Sequence, residues 1–124
     1  MIAIVDDDVS VRDAMKHLIS SLGYGALTFA SAEEYLRSDC IGGTSCLITD
    51  LRMPGMDGME LQQRLIADGH RIPIIFMSAF CNEAVRSRTL QAGALGFLIK
   101  PFEDACLIRC LDEALKGKNG TAKQ

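Results

Sequence analysis

Four groups of side chains are of the types, and in the order, that could handle a metal ion and a phosphoryl group: Asp6-Asp7-Asp8, Asp50, Ser78 and Lys100. Each directly follows a short apolar run, at 2–5, 46–49, 74–77 and 97–99 respectively. If those runs are parallel strands, all four groups sit at carboxyl ends, the edge where open α/β sheets bind ligands at the point of strand-order reversal. Adjacent strands lie about 4.8 Å apart, so aspartates after the first and third runs can share one small cation, and the long Lys100 stem can reach Asp50. Clustered carboxylates repel one another unless a divalent ion neutralises them. An oxygen-only donor set without His or Cys selects Mg²⁺ or Mn²⁺. Mg²⁺ commonly combines one or two carboxylates with phosphate oxygens, and a carboxylate is a competent phosphoryl acceptor. Lys100 and the Ser78 hydroxyl could then offset the charge of the transferred group.

The elements that must position these residues follow from a repeating rhythm. Five apolar runs, the four above and 26–29, are separated by room for a helix. Runs too continuous for half-buried strands suit a parallel sheet covered on both faces. The expected fold is α/β, a flavodoxin-like doubly wound (βα)₅ with strand order 2-1-3-4-5, and 26–29, interrupted by Thr28, reads as an edge. Val11, Met15, Leu18, Ile19 and Leu22 mark one face of the first helix, closed by Gly23. Ser31 with Glu34 has capping-box spacing, Asp57 precedes Leu61 and Leu65, and Leu107, Ile108, Leu111 and Leu115 mark the last helix. The stretch 82–92 has only Val85 and Leu90 as large apolar residues, so the fourth helix is expected to be the least anchored. The domain is expected to span 1–116, with 117–124 a flexible tail or the start of a linker to an output domain.

With 124 residues, 48% hydrophobic and 23% charged, the chain has material for one domain. A net charge of -3 with scattered basic residues argues against direct contact with nucleic acid. No apolar run approaches the length of about 18–20 residues needed to span a membrane, and the N-terminus enters a strand without a leader pattern, so a cytoplasmic protein without a membrane partner is expected. Five cysteines (Cys40, Cys46, Cys81, Cys106 and Cys110) are odd in number and lack a CxxC pair, which reads as reduced, mostly buried thiols.

The chain resembles the receiver domains of two-component response regulators over nearly all of 1–116. The resemblance rests on "IVDDD", on "TDLRMPGMDG" around Asp50, on "MSA" at Ser78 and on "AGALGFLIKPF" with Lys100-Pro101. Within the family it is most similar to the nitrogen-fixation regulator type, which joins a receiver to a helix-turn-helix output domain. The resemblance implies that Asp50 takes a phosphoryl group from a histidine kinase in a Mg²⁺-dependent reaction, with no turnover of an external substrate. Asp7 would be a direct metal ligand, Asp6 would act largely through water, and the backbone carbonyl of Arg52 would complete the protein ligands. Lys100 would pair with phosphoryl oxygens, Ser78 and Phe97 would turn inward together, and Lys100-Pro101 would be a cis peptide. Phe97 lacks the hydroxyl of the tyrosine common in the family.

Phosphorylation is then expected to move the fourth helix and expose a face formed by it, the fifth strand and the fifth helix. Val85, Arg86, Leu90, Leu107 and Ile108 are candidates for this dimerisation and output face, with a DNA-binding output domain in the full-length protein. Arg52 and Phe80, both bulky, should flank the phosphoryl group. Several blander readings stand beside these. Paired aspartates are common at helix starts, where the dipole favours them; Ser78 could be an ordinary strand-end hydroxyl, and Phe97 simple core. Among rival functions, a flavin carrier would need a phosphate-binding loop where three aspartates stand. A phosphohydrolase commonly has an acid where Arg52 sits. A phosphate-independent interaction module would lack Mg²⁺ binding.

Overall fold

Ile2, Ala3, Ile4 and Val5 are all buried, the pattern of a strand covered on both faces. The computed structural model describes residues 1–80 and 82–123, with side chains through 116. In it β1 (Ile2–Val5) is flanked by β2 (Ala26–Phe29) and β3 (Cys46–Asp50), and β4 (Ile74–Ser78) and β5 (Gly96–Ile99) extend the sheet. All pairs are parallel, in the order β2-β1-β3-β4-β5. The reversal of direction lies between β1 and β3, where the expected flavodoxin-like order places it. Register is even across the sheet, with Ile4 beside Ile48, Ile48 beside Ile75, and Ile75 beside Gly96. The carboxyl ends of β1, β3, β4 and β5 therefore finish at one edge.

Alternate residues of the strands feed two cores. Ile2, Ile4, Ile48, Ile75 and Met77 pack with Met15 and Ile19 of α1 (Val9–Ser21) and Leu107 and Leu111 of α5 (Asp104–Lys123). Ala3, Val5, Leu47 and Phe76 pack with Tyr35 of α2 (Ala32–Arg37) and Leu61 and Leu65 of α3 (Gly58–Ala67) on the other face. Full burial of one such aliphatic side chain stabilises the fold by about 1.5–3 kcal/mol, so each helix is fixed by two or three residues. α4 (Glu83–Gln91) is the exception: its single buried residue is Thr89, while Val85 and Leu90 are half-buried.

Helix starts follow the side chains that satisfy their free N–H groups. Asp8 accepts from the amides of Ser10 and Val11 and so caps α1. Ser31 accepts from Glu34 N, but the Glu34 carboxylate accepts from Ala30 N rather than from the capping residue. Asp57 and Glu60 form a full capping box at α3. Gly23 closes α1 with φ +93°, a conformation that an L side chain resists.

The α5 backbone runs past Gly117, where the sequence suggests a tail or linker, and side chains from 117 on lie outside the described residues, as does Cys81. Cys40, Cys106 and Cys110 are half-buried free thiols and Cys46 is buried. Burial pushes the Cys110 thiol above its ordinary pKa, and the nearby Glu113 adds to the shift. No described helix is long and apolar enough to cross a membrane.

Candidate functional site

The sheet edge brings together the carboxylates that the spacing pointed to. Asp6 and Asp7 follow β1 and Asp50 ends β3; a carboxylate oxygen from each lies within 4.8 Å of the others. Asp6 is fully buried and held from three sides. Its Oδ1 accepts from Asp8 N at 2.9 Å, its Oδ2 from Lys100 Nζ at 3.1 Å, and its carbonyl from Arg12 Nη1 of α1 at 2.7 Å. Lys100, just after β5, also lies 3.7 Å from Asp50 Oδ1. The Lys100–Pro101 peptide bond is cis.

Burial pushes the Asp50 carboxyl above the usual carboxylate range; Lys100 pulls it back, and the charges of Asp6 and Asp7 push it up further. A carboxylate held in this way gains from any added positive charge. Three carboxylates against one ammonium leave two formal negative charges uncompensated in the cluster. Together with an all-oxygen donor set, that fits a hard divalent cation.

Ser78 ends β4 at the same edge, 1% exposed, and its Oγ accepts from Phe80 N at 3.1 Å. Phe80 itself is 61% exposed, yet it does not stand alone: the Arg52 guanidinium carbon lies 5.1 Å from its ring centroid, a cation–π stack. The two line a pocket of about 370 Å³ together with Ser78, Asp57 and Val85. Phe97 on β5 is half-buried, its ring centroid 6.4 Å from that of Phe76.

Of the residues expected on the α4–β5–α5 face, Arg86 is exposed and Val85, Leu90 and Ile108 are half-buried. Leu107 is a correction. It is fully buried, because the helical phase of α5 turns it inward with Leu111 and Ala114, so it supports the core and presents nothing to a partner.

Three supports were not singled out from sequence. Arg12 is one. Glu33 on α2 is another: its carboxylate accepts from Met56 N at 3.1 Å and pins the β3–α3 loop to α2. Backbone hydrogen bonds, its own and that of Met56, hold its pKa below the usual value. Gly58 is the third, since a Cβ there would lie 2.6 Å from the Asp50 carbonyl oxygen. Only glycine lets α3 begin directly under the end of β3. Gly58 stands inside the motif around Asp50, but spacing alone does not show what it approaches.

A family model described as the response regulator receiver domain matches residues 2–112. The chain belongs to this family. It is 36% identical over 98% of its length to the transcriptional regulatory protein FixJ of Bradyrhizobium diazoefficiens, covering 60% of that protein. It is also 36% identical to the transcriptional regulatory protein TdiR of Thauera aromatica, over 90% of this chain and 49% of that one. The chain thus spans about half the length of the curated relatives it matches. Among solved structures, the FixJ-N crystal structure superposes with a TM-score of 0.82 at 32% identity, covering 93% of this chain and 92% of that one. Full-length FixJ from B. japonicum gives a TM-score of 0.86 at 35% identity, covering 98% and 60%. The chain is therefore a receiver domain of two-component response regulators, a family of regulators rather than metabolic enzymes.

Proposed function

We propose that this receiver takes a phosphoryl group onto Asp50 from the phosphohistidine of a sensor kinase. The observation that carries the reading is the Asp6–Asp7–Asp50 cluster with Lys100 Nζ at 3.1 Å from Asp6 and 3.7 Å from Asp50. An Asp50 carboxylate oxygen attacks phosphorus, the P–N bond breaks, and its electron pair leaves with the imidazole. Lys100 lies within reach of the new phosphoryl oxygens, and Ser78 can release Phe80 N and turn its hydroxyl to them. Asp7, Asp50 and the Arg52 carbonyl, with Asp6 through water, would hold Mg²⁺ or Mn²⁺. The ion would supply the positive charge that brings phosphoryl and carboxylate oxygens together. The chemistry is self-modification without turnover of an external substrate.

Added charge at Asp50 favours the state in which Ser78 and Phe97 turn inward and the lightly anchored α4 shifts. The α4–β5–α5 face, through Val85, Arg86, Leu90 and Ile108, then pairs two copies. The names and lengths of the relatives support a transcriptional, DNA-binding output carried outside these 124 residues, in a cytoplasmic protein. The Arg52–Phe80 stack stands beside Ser78 and limits the approach of water to the phosphoryl group.

Intact mass after incubation with acetyl phosphate and Mg²⁺, beside Asp50→Asn and an EDTA control, tests the reading. One added phosphoryl group, absent from both controls, is expected. No adduct on a protein that also fails to bind Mg²⁺ would overturn it in favour of a phosphate-independent interaction module.

A further inference from the structure

α4 is tied to the domain in an unusual way. Its large apolar residues are half-buried and its one buried residue is Thr89, whose hydroxyl is used inside the helix, donating to the Arg86 carbonyl at 2.8 Å. The Thr89 carbonyl accepts twice: from Ala94 N at 2.9 Å, which closes the helix, and from Nε2 of Gln62 on α3 at 3.1 Å. The second bond is buried and joins positions 27 apart.

Gln62 is itself out of place. It is 1% exposed, in an α3 face otherwise built from Gly58, Leu61 and Leu65, and its Oε1 has no hydrogen-bond partner among the described residues. An amide buried with one end unmet forfeits a hydrogen bond to water, a cost that an apolar side chain of similar length does not incur. Open volume borders the α3–α4 seam along α4 itself and, beyond Gln62, at the α4 C-cap. A groove of about 730 Å³ is lined by Gln62, His70 and Ala92, and one of about 720 Å³ by Met59, Arg88 and Gln91. A helix with little apolar anchorage and open grooves beside it has room to move, and among the described residues the Gln62–Thr89 bond is the side-chain hydrogen bond that sets where it rests.

We infer that Gln62 is a latch for α4. Its Nε2 holds the helix in the present seat through the Thr89 carbonyl, at a cost to global stability, and its unspent Oε1 is an acceptor for a donor that arrives when α4 shifts. The link between this latch and signalling rests on the phosphorylation reading above; the latch itself does not.

Gln62→Leu and Gln62→Met both remove the donor, the flexible methionine fitting the site if leucine strains it. Amide hydrogen exchange and urea unfolding are measured on the unphosphorylated protein. Loss of one net hydrogen bond should raise exchange of the 88–92 amides about fivefold. The urea midpoint should stay level or rise, because the unmet oxygen is gone. A merely structural role would lower α1, α5 and α4 protection together. That result, or unchanged α4 protection, overturns the latch. Acetyl phosphate should raise exchange of the same amides in the wild type and add little in Gln62→Leu. Absence of an Asp50 adduct in the wild type would sink the phosphorylation reading and leave the unphosphorylated exchange result to decide the latch.

Discussion

Asp50 carries a cost in the metal-free protein, and the sign of that cost can be followed with pH. Its folded pKa is raised above the ordinary value, chiefly by burial, so the charged form is disfavoured by folding. The penalty is full above the raised pKa and vanishes below the unfolded value. In EDTA, Asp50→Asn should therefore raise the thermal midpoint at neutral pH, and the gain should shrink as pH falls through the raised pKa; a pH-independent difference in calorimetry would contradict this. Added Mg²⁺ should stabilise the wild type and not the variant. In the proposed reaction Arg52 and Phe80 bear on the return step, loss of phosphate. Replacing both, as Arg52→Asn with Phe80→Ala, removes the stack and opens the pocket beside Ser78. Loss of phosphate from Asp50, followed by intact mass in EDTA-quenched samples, should speed up on the order of tenfold, equivalent to ~1.4 kcal/mol in the barrier. An unchanged rate would show that the two side chains do not limit water.

Elements place these groups, and here sequence was most informative where chemistry or periodicity was local. The five apolar runs coincide with the five strands to within a residue at either end; β1, β3 and β4 are buried almost throughout, and only the edge strands β2 and β5 expose a residue, Leu27 and Ile99. The start of α3 after Asp57 was legible from Leu61 and Leu65, but the full capping box expected at Ser31 and Glu34 forms at Asp57 and Glu60 instead. Asp6, Asp7, Asp50 and Lys100 could be placed because parallel register converts "just after a strand" into "at one edge". Thr89, Glu33 and Gly58 could not, since each matters through a contact 8 to 27 residues away that no period encodes. Leu107 was misplaced because a helix face is settled by phase against the sheet, which composition does not give. Two glycines test the reading of contacts. Gly58→Ala should cost about 1–3 kcal/mol in urea unfolding, because the Asp50 carbonyl must move. Gly25 has no atom near its would-be Cβ and no positive φ, so Gly25→Ala should be neutral or stabilise by about 0.4–1 kcal/mol. Equal effects at both sites would refute the account of Gly58.

At the scale of the whole molecule the proposed α4–β5–α5 face predicts that pairing of the receiver increases on phosphorylation. Sedimentation with and without acetyl phosphate checks this, and Arg86→Glu, at an exposed position of α4, should weaken pairing while leaving the Asp50 adduct intact. Pairing that survives Arg86→Glu unchanged would move the contact elsewhere. The Asp6–Lys100 bond has a consequence for how the protein is made. It spans 94 positions, so the acceptor carboxylate and its buried neighbour exist long before the cation that serves them leaves the ribosome. A contact of that sequence separation forms late, after the loop it closes has been ordered. On the proposed function an unfinished or misfolded chain would display the acidic motif without being able to receive the signal, and competence to be phosphorylated would certify that β5 has docked.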